Sequence, residues 1–110
     1  MSESRHEVVD DRNRFRYEIL IDGVVAGFVQ YSLRGGRVLL LHTEVPDLNA
    51  GKGIATELVR GALDDIRRRG RLMVPICPFV ERFVERNPEY DDLVDHELFA
   101  TLNAEARKRK

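Results

Sequence analysis

The 110-residue chain reads as a single α/β domain, a mixed sheet built from an antiparallel β-meander followed by helix, strand and helix. Three observations predict this class. Apolar residues alternate with polar ones through the first half, the period of a half-buried strand. From Ile54 onward they recur at three- and four-residue spacing, the period of an amphipathic helix. Between the two regimes stands Gly51-Lys52-Gly53, a turn that opens the first helix.

The elements follow in order. Met1 to Glu7 carry too few apolar residues to order themselves and read as disordered, with Val8-Val9 beginning a short edge strand. Phe15, Tyr17, Ile19 and Ile21 share one face of a strand, with Arg14, Arg16 and Glu18 on the other. Asp22-Gly23 suits a two-residue hairpin turn, and a second strand runs from Val24 to about Leu33. After Arg34-Gly35-Gly36, the run Val38 to Leu41 predicts a strand buried on both faces, continuing through Val45 and stopped by Pro46. The long helix has Ile54, Leu58, Val59, Ala62, Leu63 and Ile66 inside. Thr56, Glu57, Arg60, Asp64, Asp65 and Arg67 lie on its wet face. Gly70 supplies a left-handed cap. Leu72 to Cys77 is a further strand, Pro78 opens a helix that ends near Asn87-Pro88, and a last helix surrounds Leu98, Phe99 and Leu102. Residues 104–110 read as a basic, solubilising tail.

Composition removes several functions. A formal net charge of −1 provides no broad basic field, which argues against nucleic acid as a partner. The longest unbroken apolar run, Val38 to Leu41, is far too short to cross a bilayer. With Cys77 as the only cysteine no intrachain disulfide can form, and the charged N-terminal stretch lacks the apolar core of a signal peptide. These features predict a cytoplasmic protein, monomeric or weakly dimeric.

The glycine turn carries the first chemical hint. The first amides of a helix have no internal acceptors and sit at the positive end of its dipole, so they can hold an anion such as a pyrophosphate. Lys52 would add a mobile cation. From spacing alone two readings stay open: a phosphate cradle, or a tight turn that packs helix on sheet. A nucleotide P-loop fits badly, because Lys52 is followed by Gly53 rather than Ser or Thr. The dinucleotide fingerprint fits badly because the preceding strands are antiparallel.

The segment LLLHTEVPDLNAGKGIA, Leu39 to Ala55, followed by an amphipathic helix and a proline-bearing strand, resembles the GCN5-related N-acetyltransferase family. The pairing of HTEVP with ICPFVERFVERNPEYDDLV is similar to that family's short, single-domain members. The resemblance spans roughly Tyr17 to Val94. It implies a sheet that splays between two central strands, with acetyl-coenzyme A as acetyl donor wedged between them and no metal. Carried over by position, backbone amides of Gly51, Lys52, Gly53, Ile54 and Ala55 hold the pyrophosphate. Backbone groups of Thr43 and Val45 pair with the pantetheine arm as an added strand would. Asn87 matches a polar residue near the pantetheine or adenosine side. The family loop usually opens with Gln or Arg where Ala50 stands, so one phosphate contact is missing here.

Acetyl transfer needs a deprotonated amine, an oriented thioester and a donor for the developing oxyanion. His42 and Glu44, two apart on one strand, point to one face; Glu44 matches the family's base, and His42 is either a second base or a tie for the strand end. Cys77, just before a Pro78 helix start, sits where a helix dipole favours thiolate; it either accepts acetyl or shapes the pocket as a small apolar residue. The resemblance thus implies an acetyltransferase acting on a primary amine of a protein or small molecule. The alternative is a coenzyme A-binding module that works through a partner with little or no catalysis.

Overall fold

The computed structural model describes residues 4–46, 51 and 53–108. Strands β1 (His6–Asp11), β2 (Arg16–Ile21), β3 (Val24–Arg34) and β4 (Arg37–Glu44) form the antiparallel meander. Strand β5 (Met73–Pro75) joins β4 in parallel, so the sheet order is β1-β2-β3-β4-β5 and the sheet is mixed, as expected. The strand beside the opening is therefore a short edge strand rather than a central one. Helices α1 (Ile54–Arg68), α2 (Pro78–Arg86) and α3 (His96–Lys108) follow in order, with a 3₁₀ segment (Pro88–Leu93) between the last two. The core lies between the sheet and α1. Ile19, Leu40, Leu58, Leu63, Ile66 and Met73 are fully buried there, each worth about 1.5–3 kcal/mol relative to exposure.

Four local readings change. His6 and Glu7, expected in the disordered leader, begin β1 opposite Ile21 and Leu20. The reason is a clasp at the hairpin: the Arg5 amide donates to Asp22 Oδ1 and the Asp22 amide to the Arg5 carbonyl, both at 2.8 Å. Leu41, expected inside, is 38% exposed. The register slips between Gln30 and Tyr31, so Gln30 faces His42 while Tyr31 faces Leu40, leaving Leu41 as the extra residue of a bulge. Helix α3 extends to Lys108 and takes in the first residues of the expected tail.

The fourth change is Asp65, placed on the wet face by periodicity but buried. Tyr17 Oη donates to its Oδ2 at 2.7 Å, Arg69 Nε lies 2.9 Å away, and Arg68 completes the pair. One strand pairing away, Tyr31 Oη donates to Asp10 Oδ1 at 2.6 Å. Two phenols thus pin the C-terminal half of α1 and the β1 edge to the sheet. Burial, then hydrogen bonding to a carboxylate, raises both phenol pKa values far above the ordinary 10.0. A folded state that holds these protons more tightly than the unfolded chain is stabilised below the unfolded phenol value and loses that contribution as pH rises past it. Denaturant unfolding should therefore show stability falling above about pH 10. Tyr17→Phe should flatten that fall, and an unchanged alkaline slope would remove Tyr17 from the cause.

Candidate cofactor and active site

The site begins where the sheet comes apart. β4 and β5 pair only from Val38↔Met73 to Leu40↔Pro75. Pro75 has no amide hydrogen to continue a ladder. The Ile76 amide turns back to the Val74 carbonyl at 3.0 Å, and the Cys77 amide makes a last bond to the Leu40 carbonyl at 2.8 Å. Beyond Leu40, β4 runs on to Glu44 with β3 alone as strand partner among the described residues. An extended backbone edge is left facing the start of α2.

Cys77 is the N-cap residue of α2, with Pro78 in its first turn, so its thiol stands at the helix N-terminus as expected. It is buried, and its Sγ lies 3.3 Å from Thr43 Oγ1, bridging the gap between β4 and α2. His42 and Glu44 share the face opposite α1, Nε2 to Oε1 3.4 Å apart, each side chain 60% exposed. Phe28 presents its ring to His42 edge-on, and the Arg16 guanidinium, tied to Glu18 at 2.8 Å, lies over that ring 4.4 Å from its centre. The strand thus divides its candidates: Thr43 joins Cys77 in the opening, and His42 joins Glu44 on the outer face. No hydrogen bond links the two pairs among the described residues.

The chain leaves β4 over Gly27, where a Cβ would meet Val45 Cγ2 at 2.9 Å and the Glu44 carbonyl at 3.1 Å. The missing side chain lets Val45 lie flat on β3. The opening then leads to the glycine turn. Gly51 (φ 81°) and Gly53 (φ 73°) adopt left-handed conformations with open space where a Cβ would stand. Gly53 is the N-cap of α1 and no side chain caps that helix start. A cleft of ≈ 280 Å³ lies here, walled by Val45, Gly51, Gly53, Ile54, Ala55 and Phe79. Lys52 and Ala50 lie outside the described residues.

Thr56 and Phe79 also border a second cleft of ≈ 260 Å³ between α1 and α2, which Arg60, Arg82, Arg86 and Asn87 complete. Asn87 ends α2, donating from Nδ2 to the Phe83 carbonyl at 2.8 Å and accepting from Arg60 at 3.3 Å. It lines the groove mainly by holding Arg60. Sequence reading gives Phe79, Arg82 and Arg86 no site role; Phe79 is half buried, packing against the core while it borders both clefts. The signal was available as Arg at i+3 and i+7 from an aromatic on one helix face. Tyr90, another aromatic of this region, is buried and donates to Asp64 at 2.7 Å.

A family model matches the stretch of chain that holds this strand edge and the glycine-lined helix start. That model, GCN5-related N-acetyl-transferase, matches residues 16–93. The chain belongs to the GCN5-related N-acetyltransferase family. It is 34% identical over 83 residues to Protein NATD1 of Bos taurus, covering 74% of each chain. It is 32% identical over 83 residues to Protein NATD1 of Homo sapiens, again covering 74% of each. With Protein NATD1 of Gallus gallus it shares 32% over 84 residues, 74% of this chain and 76% of that one. Membership gives an acyltransferase fold of a kind that generally binds acetyl-coenzyme A.

Because Gly27 sets where β4 ends, Gly27→Ala should cost about 1–3 kcal/mol by overpacking. Adding Val45→Ala should recover part of that loss in urea unfolding. Strict additivity of the two changes would show that the Gly27–Val45 approach does not fix the strand end.

Proposed function

We propose that this protein transfers acetyl from acetyl-coenzyme A to a primary amine on a protein or small molecule. The observation that carries the reading is the β4 edge left without β5 beyond Leu40, followed by Val45, which walls the cleft at the glycine turn that starts α1. The residues present suit the donor. Amides at Gly53, Ile54 and Ala55 offer an uncapped helix start for a pyrophosphate, with space left open by the glycines. The free edge of β4 at Thr43 and Val45 offers backbone pairing to an amide-bearing arm.

Acetyl-coenzyme A supplies an acetyl group activated as a thioester. The amine nitrogen bonds to the acetyl carbon, the carbon–sulfur bond breaks, and the amine's proton must be removed. Glu44 is our assignment for that proton acceptor, with His42 at 3.4 Å holding its carboxylate in place. Both are open to an acceptor arriving on the outer face of the sheet. Cys77 is buried against Thr43 and lines the opening. Direct attack in a ternary complex is therefore the mechanism we assign.

The separation of the Glu44 pair from Cys77, and the 60% exposure of His42 and Glu44, also favour a second reading, a coenzyme A-binding module with little catalysis. Thiol release from acetyl-coenzyme A across an amine panel separates the two. Glu44→Gln should lower turnover by about 10²–10⁴-fold with coenzyme A binding retained, the usual span for a lost general base. Cys77→Ala should keep turnover within a few-fold. Binding without amine-dependent thiol release would favour the module, and loss of activity in Cys77→Ala with an acetylated Cys77 in the parent would replace direct attack by a covalent route.

A further inference from the structure

Helix α2 sorts its charges by side. Glu81 and Glu85 border a cleft with Pro75 and Phe99, whereas Arg82 and Arg86 face the groove against α1. That groove holds three arginines and no carboxylate in its lining. Arg60 is already engaged: it donates to Asn87 at 3.3 Å and to Tyr90 Oη at 3.4 Å, pairs with Glu89 at 4.0 Å and holds its guanidinium 5.2 Å from the Phe83 ring centre, so the uncompensated charge is that of Arg82 and Arg86. Arg82 and Arg86 are exposed and make no ion pair among the described residues. Standing four apart on one helix face, they repel each other by about 0.2–0.5 kcal/mol. A chain of net charge −1 thus concentrates uncompensated positive charge in one concave place. Beside it Phe79 offers a half-buried ring, and Thr56 and Phe79 make the groove continuous with the glycine-turn cleft.

We infer that Arg82 and Arg86 read the 3′-phosphate at the nucleotide end of coenzyme A, so that the protein discriminates the donor from its 3′-dephospho form. The inference rests on the coenzyme A reading above and adds its specificity determinant. A dianion is the complement of two adjacent guanidinium groups, which form paired, charge-assisted hydrogen bonds to phosphate. The aromatic ring next to them suits a stacked base, which adds affinity without fixing the phosphate's position. An amine acceptor has the wrong charge for this groove.

Titration calorimetry with coenzyme A and with 3′-dephospho-coenzyme A tests the assignment. The parent protein should bind coenzyme A at least about tenfold more tightly, and added salt should narrow the gap. The double variant Arg82→Gln, Arg86→Gln should bring the two affinities within about twofold while leaving that for the dephospho form unchanged. Its melting temperature should not fall, since both side chains are exposed and their mutual repulsion is removed. Adenosine 3′,5′-bisphosphate should compete with coenzyme A in the parent and lose that advantage over AMP in the variant. Equal affinities in the parent would overturn the inference and leave the coenzyme A reading standing, as would a preference that survives both substitutions. Failure of both coenzyme A forms to bind the parent would overturn both.

Discussion

One hydrogen bond sets the position of the rest. The Cys77 amide reaches the Leu40 carbonyl at 2.8 Å, and beyond it the β4–β5 ladder ends. Pro75 cannot donate, so the ladder is already weakened one step earlier. The same bond places Cys77 as the N-cap of α2, which points the helix start at the unpaired part of β4. A regular strand in place of Pro75-Ile76-Cys77 would cover that edge and satisfy it with backbone. The sequence instead leaves the edge open for a ligand that can act as the missing strand.

The start of α1 borders the glycine-turn cleft, and side-chain anchors further along the helix fix it to the sheet. Its C-terminal half is held by the buried pairing of Tyr17 with Asp65, and its outer flank by Arg67 to Asp92 at 2.9 Å and Tyr90 to Asp64 at 2.7 Å. Tertiary packing and these side-chain bonds compensate for a helix whose first turn has no side-chain cap. The anchoring of α1 is concentrated at the opposite end of the helix from Gly51 and Gly53. That division of labour explains why the cleanest polar network lies far from the glycine turn.

Much of this was legible in the chain. Alternation located β2, β3 and β4, the three- and four-residue spacing located α1, and Pro78 marked the start of α2. The pairing of His42 with Glu44 followed from strand geometry alone. What stayed hidden depends on partners distant in sequence. Leu41 turns outward because of a register slip across the hairpin, which no local pattern encodes. Asp65 is buried because Tyr17, on another element, offers it a proton. Phe79 packs against the core beside Val80 and Phe83 and also borders the groove between α1 and α2, a double placement that helix spacing does not reveal.

The two faces of β4 also bear on how a chain this short could organise a two-substrate reaction. Thr43 and Cys77 belong to the enclosed side, where a donor arm can lie out of water. His42 and Glu44 belong to the outer side, where Gln30 and Phe28, with Arg16 over the Phe28 ring, stand beside them. On the assignment proposed above, alternation along a single strand separates donor from acceptor without any extra element. An acceptor approaching that outer face meets little built enclosure, so its affinity must come from contacts beyond the immediate neighbourhood of Glu44. Such an arrangement suits an amine carried on a larger surface better than a small molecule that needs a pocket of its own.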